Sequence, residues 1–228
     1  MKRLIVCLGM VLTSLSHGAG LDFTATLKEV NAPADAKKVT VDFEFTNHTD
    51  KTVKVIKYDA ACSCMAVTIK EGKLSYAPGE SGVVRADFEM GNFSGTVDKT
   101  VALWLDDDPA DKPSVTLTTR VHIPVLVALE PKTLKWDVDG DASPQTIRIT
   151  MNHSDPISVK KVTTSSTTFQ HELKTITEGK LYELIVTPGE ISTPGLAIMR
   201  IETDCAIERH RIQQAFAQVR KPLNSAKP

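Results

Sequence analysis

The chain has 228 residues, 41% hydrophobic and 24% charged, with 27 Lys and Arg against 28 Asp and Glu. That composition is globular rather than disordered, and the length suits one large domain or two small ones. A formal net charge of −1 excludes a strongly basic, phosphate-tracking protein and a long acidic tail.

The chain opens with the positive segment Met1-Lys2-Arg3. An apolar run over residues 4–15 follows, then the small residues Ser16 to Gly20. This order predicts a secretory signal peptide over 1–20, cleaved near residues 18–20. The run is too short for a spanning helix, which needs about 20 residues. Loss of Lys2, Arg3 and Cys7 leaves 25 basic against 28 acidic residues, a net of −3, and three cysteines. The expected location is extracytoplasmic, periplasmic or secreted, where disulfides persist. No transmembrane segment is expected in the mature chain.

Next come period-two runs. Val39, Val41, Phe43 and Phe45 alternate with polar residues, as do Val84, Ala86, Phe88 and Met90. Val97, Val101, Leu103 and Leu105 keep one parity, and so do Val115, Leu117, Val121 and Ile123. Each pattern is that of a half-buried strand. Turn signals separate them: Asn47-His48-Thr49-Asp50, Pro78-Gly79-Glu80 and Asp106-Asp107-Asp108-Pro109. Short strands at this spacing predict an all-β, immunoglobulin-like antiparallel β-sandwich.

The second half repeats the plan. Asn152-His153-Ser154-Asp155 answers Asn47 to Asp50, Val159 and Val162 answer Val53 and Ile56, and Pro188-Gly189-Glu190 answers Pro78-Gly79-Glu80. Thr203-Asp204 answers Leu105-Asp106, and Val219 to Pro222 answers Val121 to Pro124. Two tandem sandwiches are expected, 21–127 and 128–222, with a flexible tail at 223–228. Residues 210–220 have helical spacing, but their counterpart is strand-like, so a strand is expected there.

One feature of the first copy has no counterpart in the second. Cys62-Ser63-Cys64-Met65 follows the strand that starts at Val53, and the repeat register sets Thr168 and Gln170 opposite the cysteines. On a regular strand, residues i and i+2 share a face about 6.6 Å apart. A disulfide needs Cβ atoms about 3.8 Å apart, so closing this pair takes a bulge or turn. Three chemistries suit the pair: inert packing or an inert bridge, thiol redox exchange, and a soft-metal site for copper. Alternation places Cys62 and Cys64 outward and Met65 on the core side, although its thioether makes Met65 the third candidate metal ligand. Cys205 is the remaining thiol, a candidate partner for Cys62 or Cys64.

The first copy resembles a bacterial family catalogued as domain of unknown function 1573. The resemblance rests on Phe45-Thr46-Asn47 with Asp50, Val55-Ile56-Lys57, Cys62-Ser63-Cys64, the run Ala77 to Gly82, Phe88, Gly95 and Asp108-Pro109. Family members commonly carry glycine between the cysteines, where this chain has Ser63. The resemblance implies an immunoglobulin-like fold and no established activity.

Catalytic signatures are lacking: there is no His-Glu-x-x-His, no Gly-x-Ser-x-Gly and no phosphate-binding glycine loop. Asp106, Asp107, Asp108 and Asp111 read as a solvated turn before they read as a calcium site. Asn47-His48-Thr49 fits a glycosylation sequon. Trp104 and Trp136 read as core or interdomain packing. The expected function is that of a non-catalytic binding or structural protein. It would present loops or an edge strand to a protein partner, with no nucleic acid and no cofactor. The alternative is thiol redox or copper binding through Cys62 and Cys64.

Overall fold

The computed structural model describes residues 20–221. The signal-peptide reading, Cys7 included, and the flexible tail lie outside the described residues. The chain divides into two compact units between Ile123 and Pro124. The division falls earlier than the expected break after residue 127, because Val127 opens a strand of the second unit.

The first unit holds β1 (Asp22–Phe23), β2 (Leu27–Asn31), β3 (Lys38–Thr46), β4 (Val53–Ala60), β5 (Met65–Ile69), β6 (Ser75–Tyr76), β7 (Ser81–Glu89), β8 (Gly95–Leu105) and β9 (Val115–Ile123). One sheet has the order β1-β3-β7-β5 and the other β2-β9-β8-β4-β6. The period-two residues of both meet in one core: Val41, Phe43, Val84 and Phe88 from the first sheet, Val101, Leu103, Leu117 and Val121 from the second. Alternation buries every second side chain, and that burial is the main stabilising term of a sandwich. On the outer faces, directly opposed residues form two-pronged ion pairs. Arg85 holds Asp42 through two 2.7 Å bonds, and Arg120 holds Asp98 likewise.

The second unit repeats the topology. Its strands are β10 (Val127–Glu130), β11 (Thr133–Asp137), β12 (Gln145–Met151), β13 (Val159–Thr164), β14 (Phe169–Thr177), β15 (Leu181–Pro188), β16 (Gly195–Thr203) and β17 (Ile212–Arg220). The sheets run β10-β12-β15-β14 and β11-β17-β16-β13. In each unit one pair is parallel, β2 with β9 and β11 with β17; the other pairs are antiparallel. The segment of ambiguous period is the strand β17, because Ala215, Ala217 and Val219 face the core. No helix among the described residues is long and apolar enough to cross a membrane.

Hydrogen bonds fix the true repeat register. The Asp106 and Asp204 carboxylates each accept a backbone N–H, from Lys54 and Ser158, and their own N–H groups donate to the carbonyls of the same two residues. That correspondence holds as expected. The Pro-Gly-Glu correspondence does not: Pro78-Gly79-Glu80 precedes β7, whereas Pro188 ends β15, the equivalent strand. The matching turn in the second unit is Glu178-Gly179-Lys180.

The acidic turn after β8 is internally bonded. Asp108 Oδ2 accepts from Leu105 N (2.7 Å), Ser114 N (3.0 Å) and Ser114 Oγ (2.8 Å), while Asp107 pairs with Lys51. Burial pushes the Asp108 carboxyl up, but these donors outweigh it and hold it below the usual aspartate value. A depressed folded pKa contributes stability that is present above the unfolded value of about 4 and lost as pH falls below it. Asp108→Asn is therefore expected to lower stability by about 1–2 kcal/mol at pH 7. Urea denaturation should show the difference shrinking below about pH 4.

Candidate functional site

Cys62 and Cys64 form a disulfide with each other, their Cα atoms 5.2 Å apart. The chain leaves β4 at Ala60 and turns through residues 61–64 before β5, so the turn that the geometry requires is present. Met65 N donates to Cys62 O (3.2 Å), closing the turn. Ala61 N donates to Thr100 O on β8 (3.1 Å), and Cys64 O accepts from Glu89 N at the end of β7 (2.9 Å). The turn is thus tied to both sheets by backbone groups alone.

Three expectations for this site need correction. Both cysteines are half-buried and pack against the core rather than standing outward, because the turn breaks the strand alternation. Cys205 pairs with neither: it is a buried free thiol in the second unit. Its N–H donates to Thr203 Oγ1 and its carbonyl accepts from Arg211 Nε, so backbone bonds hold it. The copper set of Cys62, Cys64 and Met65 is not assembled, since the sulfurs are bonded together and Met65 lies in the core.

The repeat comparison also shifts. Ser165 N donates to Ile198 O as Ala61 N does to Thr100 O, and Thr168 O accepts from Gly189 N as Cys64 O does from Glu89 N. The residues opposite Cys62 and Cys64 are therefore Ser166 and Thr168, not Thr168 and Gln170. Ser166 Oγ and Thr168 Oγ1 share a 3.0 Å hydrogen bond across the same turn. One fold thus holds one corner in two ways, by a disulfide or by a hydroxyl pair.

The turn joins β4 and β5, each of which has backbone open on one side of its sheet. β5 ends its sheet, and β4 is covered on its outer side only where Val53 and Lys54 pair with β6. Val55 N still reaches Leu74 O (2.8 Å); beyond it, among the described residues, β4 pairs only with β8. A register shift between Val55 and Lys57 makes Ile56 a bulge, and Ile56 and Tyr58 are 58% and 41% exposed. Lys57 lies over the Trp104 ring at 4.2 Å, so this indole is buried on the outer face of the sheet, outside the core cluster. Trp136 is buried in the second unit, its Nε1 donating to Ser143 O. Ile56 and Tyr58 thus form an exposed apolar pair. Its signal was the broken alternation of Val53, Val55 and Ile56.

Two other motif residues are structural. The Asn47 side chain is fully buried and donates to Lys51 O and Tyr76 O, both 2.8 Å away. Both amide hydrogens are engaged, so the sequon is not an exposed acceptor. Gly82 lies against the Phe45 and Tyr76 rings. A cleft of about 340 Å³ opens beside them, lined in part by Glu44, Lys70, Glu71 and Lys73. Lys73 pairs there with Glu80, and Glu44 with Lys28.

No curated protein matches the chain. Among solved structures it is similar to a protein of unknown function from Porphyromonas gingivalis W83, with 11% identity and a TM-score of 0.35, covering 88% of this chain and 99% of that one. It is also similar to the E. coli chaperone DraB, with 12% identity and a TM-score of 0.33, covering 87% and 96%. The Vibrio cholerae VesB protease matches at 17% identity and a TM-score of 0.37, covering 48% of this chain and 33% of that one. Over residues 21–121, its first domain, the chain resembles and matches the family described as a protein of unknown function, DUF1573.

Proposed function

We propose that the protein is an extracytoplasmic, non-catalytic binding protein, and that it takes up an extended segment of a partner protein along the open β4 edge of its first domain. The observation that carries this reading is the stretch of β4 beyond Val55, which has no outer strand among the described residues and exposes Ile56 and Tyr58. An open edge presents unpaired N–H and C=O groups that template another strand, and chains normally guard such edges with charge. The second domain does so: β13 carries Lys160 and Lys161, and β14 carries Glu172 and Lys174. In the first domain β5 reads Met65-Ala66-Val67-Thr68-Ile69 without a charge, and β4, which carries Lys54, Lys57 and Asp59, also exposes the large apolar faces of Ile56 and Tyr58 beside its unpaired backbone. Strand addition draws affinity from main-chain hydrogen bonds and specificity from alternate side chains.

The test uses displayed random peptides selected on the full chain. Enriched peptides should alternate apolar and polar residues. Ile56→Lys should weaken them at least about tenfold, equivalent to about 1.4 kcal/mol. N-methylation of alternate peptide nitrogens should do the same, because it removes ladder donors. Peptides that bind the Ile56→Lys chain equally well would overturn the reading.

A further inference from the structure

We propose that Cys62–Cys64 is a reversible thiol–disulfide exchange site whose substrates are thiols, an activity separate from partner binding at the β4 edge. Four observations converge on it. The turn is held by Met65 N to Cys62 O, Ala61 N to Thr100 O and Glu89 N to Cys64 O, none of which involves sulfur. The equivalent turn of the second domain keeps the same two ties to its sheets with Ser166 and Thr168 in place of the cysteines. The cross-link closes a loop with sequence separation 2, where a disulfide removes the least chain entropy from the unfolded state. Cys62 and Cys64 are half-buried residues in the turn between β4 and β5, whereas Cys205 is buried. A bond that the scaffold does not require, in a turn that is not fully buried, is free to break and reform without unfolding the domain.

The chemistry balances with two donor thiols. A donor thiolate attacks one sulfur of the pair; a mixed disulfide forms, the Cys62–Cys64 bond breaks, and its electron pair leaves on the other cysteine as a thiolate that takes a proton from water. A second donor thiolate attacks the donor sulfur of the mixed disulfide and releases the remaining cysteine. The donors leave as a disulfide, oxidised by two electrons, and Cys62 and Cys64 end as two thiols. The reverse sequence reoxidises the pair.

The experiment equilibrates the full chain with glutathione at varied ratios of reduced to oxidised form. Acid quenching, alkylation and mass measurement then read the peptide that holds residues 62–64. The pair should pass from oxidised to reduced within the glutathione range, with an unchanged circular dichroism spectrum and Cys205 unmodified. Cys62→Ser/Cys64→Thr, which copies the second domain's turn, should fold with the same spectrum and a melting temperature lower by only a few degrees. A Cys64→Ser chain should form a mixed disulfide with oxidised glutathione at Cys62. The proposal is overturned if the pair stays oxidised at the most reducing ratio while the chain is folded. It is also overturned if reduction or the Ser/Thr variant unfolds the first domain. Ile56→Lys should leave the exchange unchanged, so the peptide-binding reading can fail without this one.

Discussion

Asn47→Ala is expected to destabilise the first domain by about 3 kcal/mol. Asn47 follows β3 and sits where three segments meet. Its amide donates to Lys51 O and Tyr76 O, and its Oδ1 accepts from Thr49 N (3.0 Å) and Thr49 Oγ1 (2.6 Å). Its backbone N–H reaches Glu80 O and its carbonyl accepts from Gly79 N. Truncation removes all four of these side-chain bonds at a fully buried position, and buried polar groups that lose a partner cost about 1–3 kcal/mol. Asn47→Asp should be about as damaging, because it sets a carboxylate against two carbonyls. Thermal unfolding is the measurement: at about 4–8 °C per kcal/mol for a domain of this size, the midpoint should fall by roughly 15 °C. A shift of only a few degrees would show that the side chain does not hold the turn to β6.

Gly82→Val is expected to cost about 3 kcal/mol by a different route, overpacking. A Cβ at position 82 would lie 2.6 and 2.8 Å from Tyr76 Cε1 and Cζ, and closer still to Phe45 Cζ. Neither ring can step aside cheaply. Phe45 and Tyr76 meet edge to face at 4.8 Å, Phe23 adjoins Phe45 at 5.0 Å, and the Tyr76 hydroxyl donates to Lys73 O at 2.7 Å. Gly79 separates this reason from backbone conformation. Its φ is +78° and a Cβ there meets open space, so Gly79→Ala should cost only about 1 kcal/mol. Urea denaturation of both variants distinguishes them; equal losses would refute the steric account.

Both residues belong to the motifs on which the family resemblance rests, and both act in the fold. Asn47 ties the turn after β3 to β6, and Gly82 admits two rings beneath β7. The Cys-Ser-Cys turn is the motif element for which the second domain offers a sulfur-free equivalent. That contrast separates it from the rest. By the loop-length argument a three-residue ring is worth under about 2 kcal/mol, against roughly 3 for a fifteen-residue loop. Stability is therefore a weak reason for its presence.

Much of the architecture was legible in the residues themselves. Period-two alternation in Val39 to Phe45 and Val84 to Met90 reads as buried faces because a strand's side chains have only two directions. The two-copy plan resolved β17, whose helical spacing alone pointed elsewhere. The register between copies was not legible. Pro-Gly-Glu occurs on both sides of equivalent strands, and a sequence match cannot tell a turn before a strand from one after it; the ladder bonds can. The candidate site was half legible. The residues Cys62, Cys64 and Cys205 stand out by type, and their geometry called for a turn if the first two were to bond.

What the sequence by itself determined is thus the set of strands and faces, because burial follows a local period that each segment carries alone. Tertiary structure decided the rest. Pairing across the sheets placed β4 and β5 at open edges, joined Cys62 to Cys64 and left Cys205 alone in another unit. It also turned Ile56 outward at a bulge. These outcomes depend on which backbone groups already have partners, a property of the whole sandwich that no single segment contains.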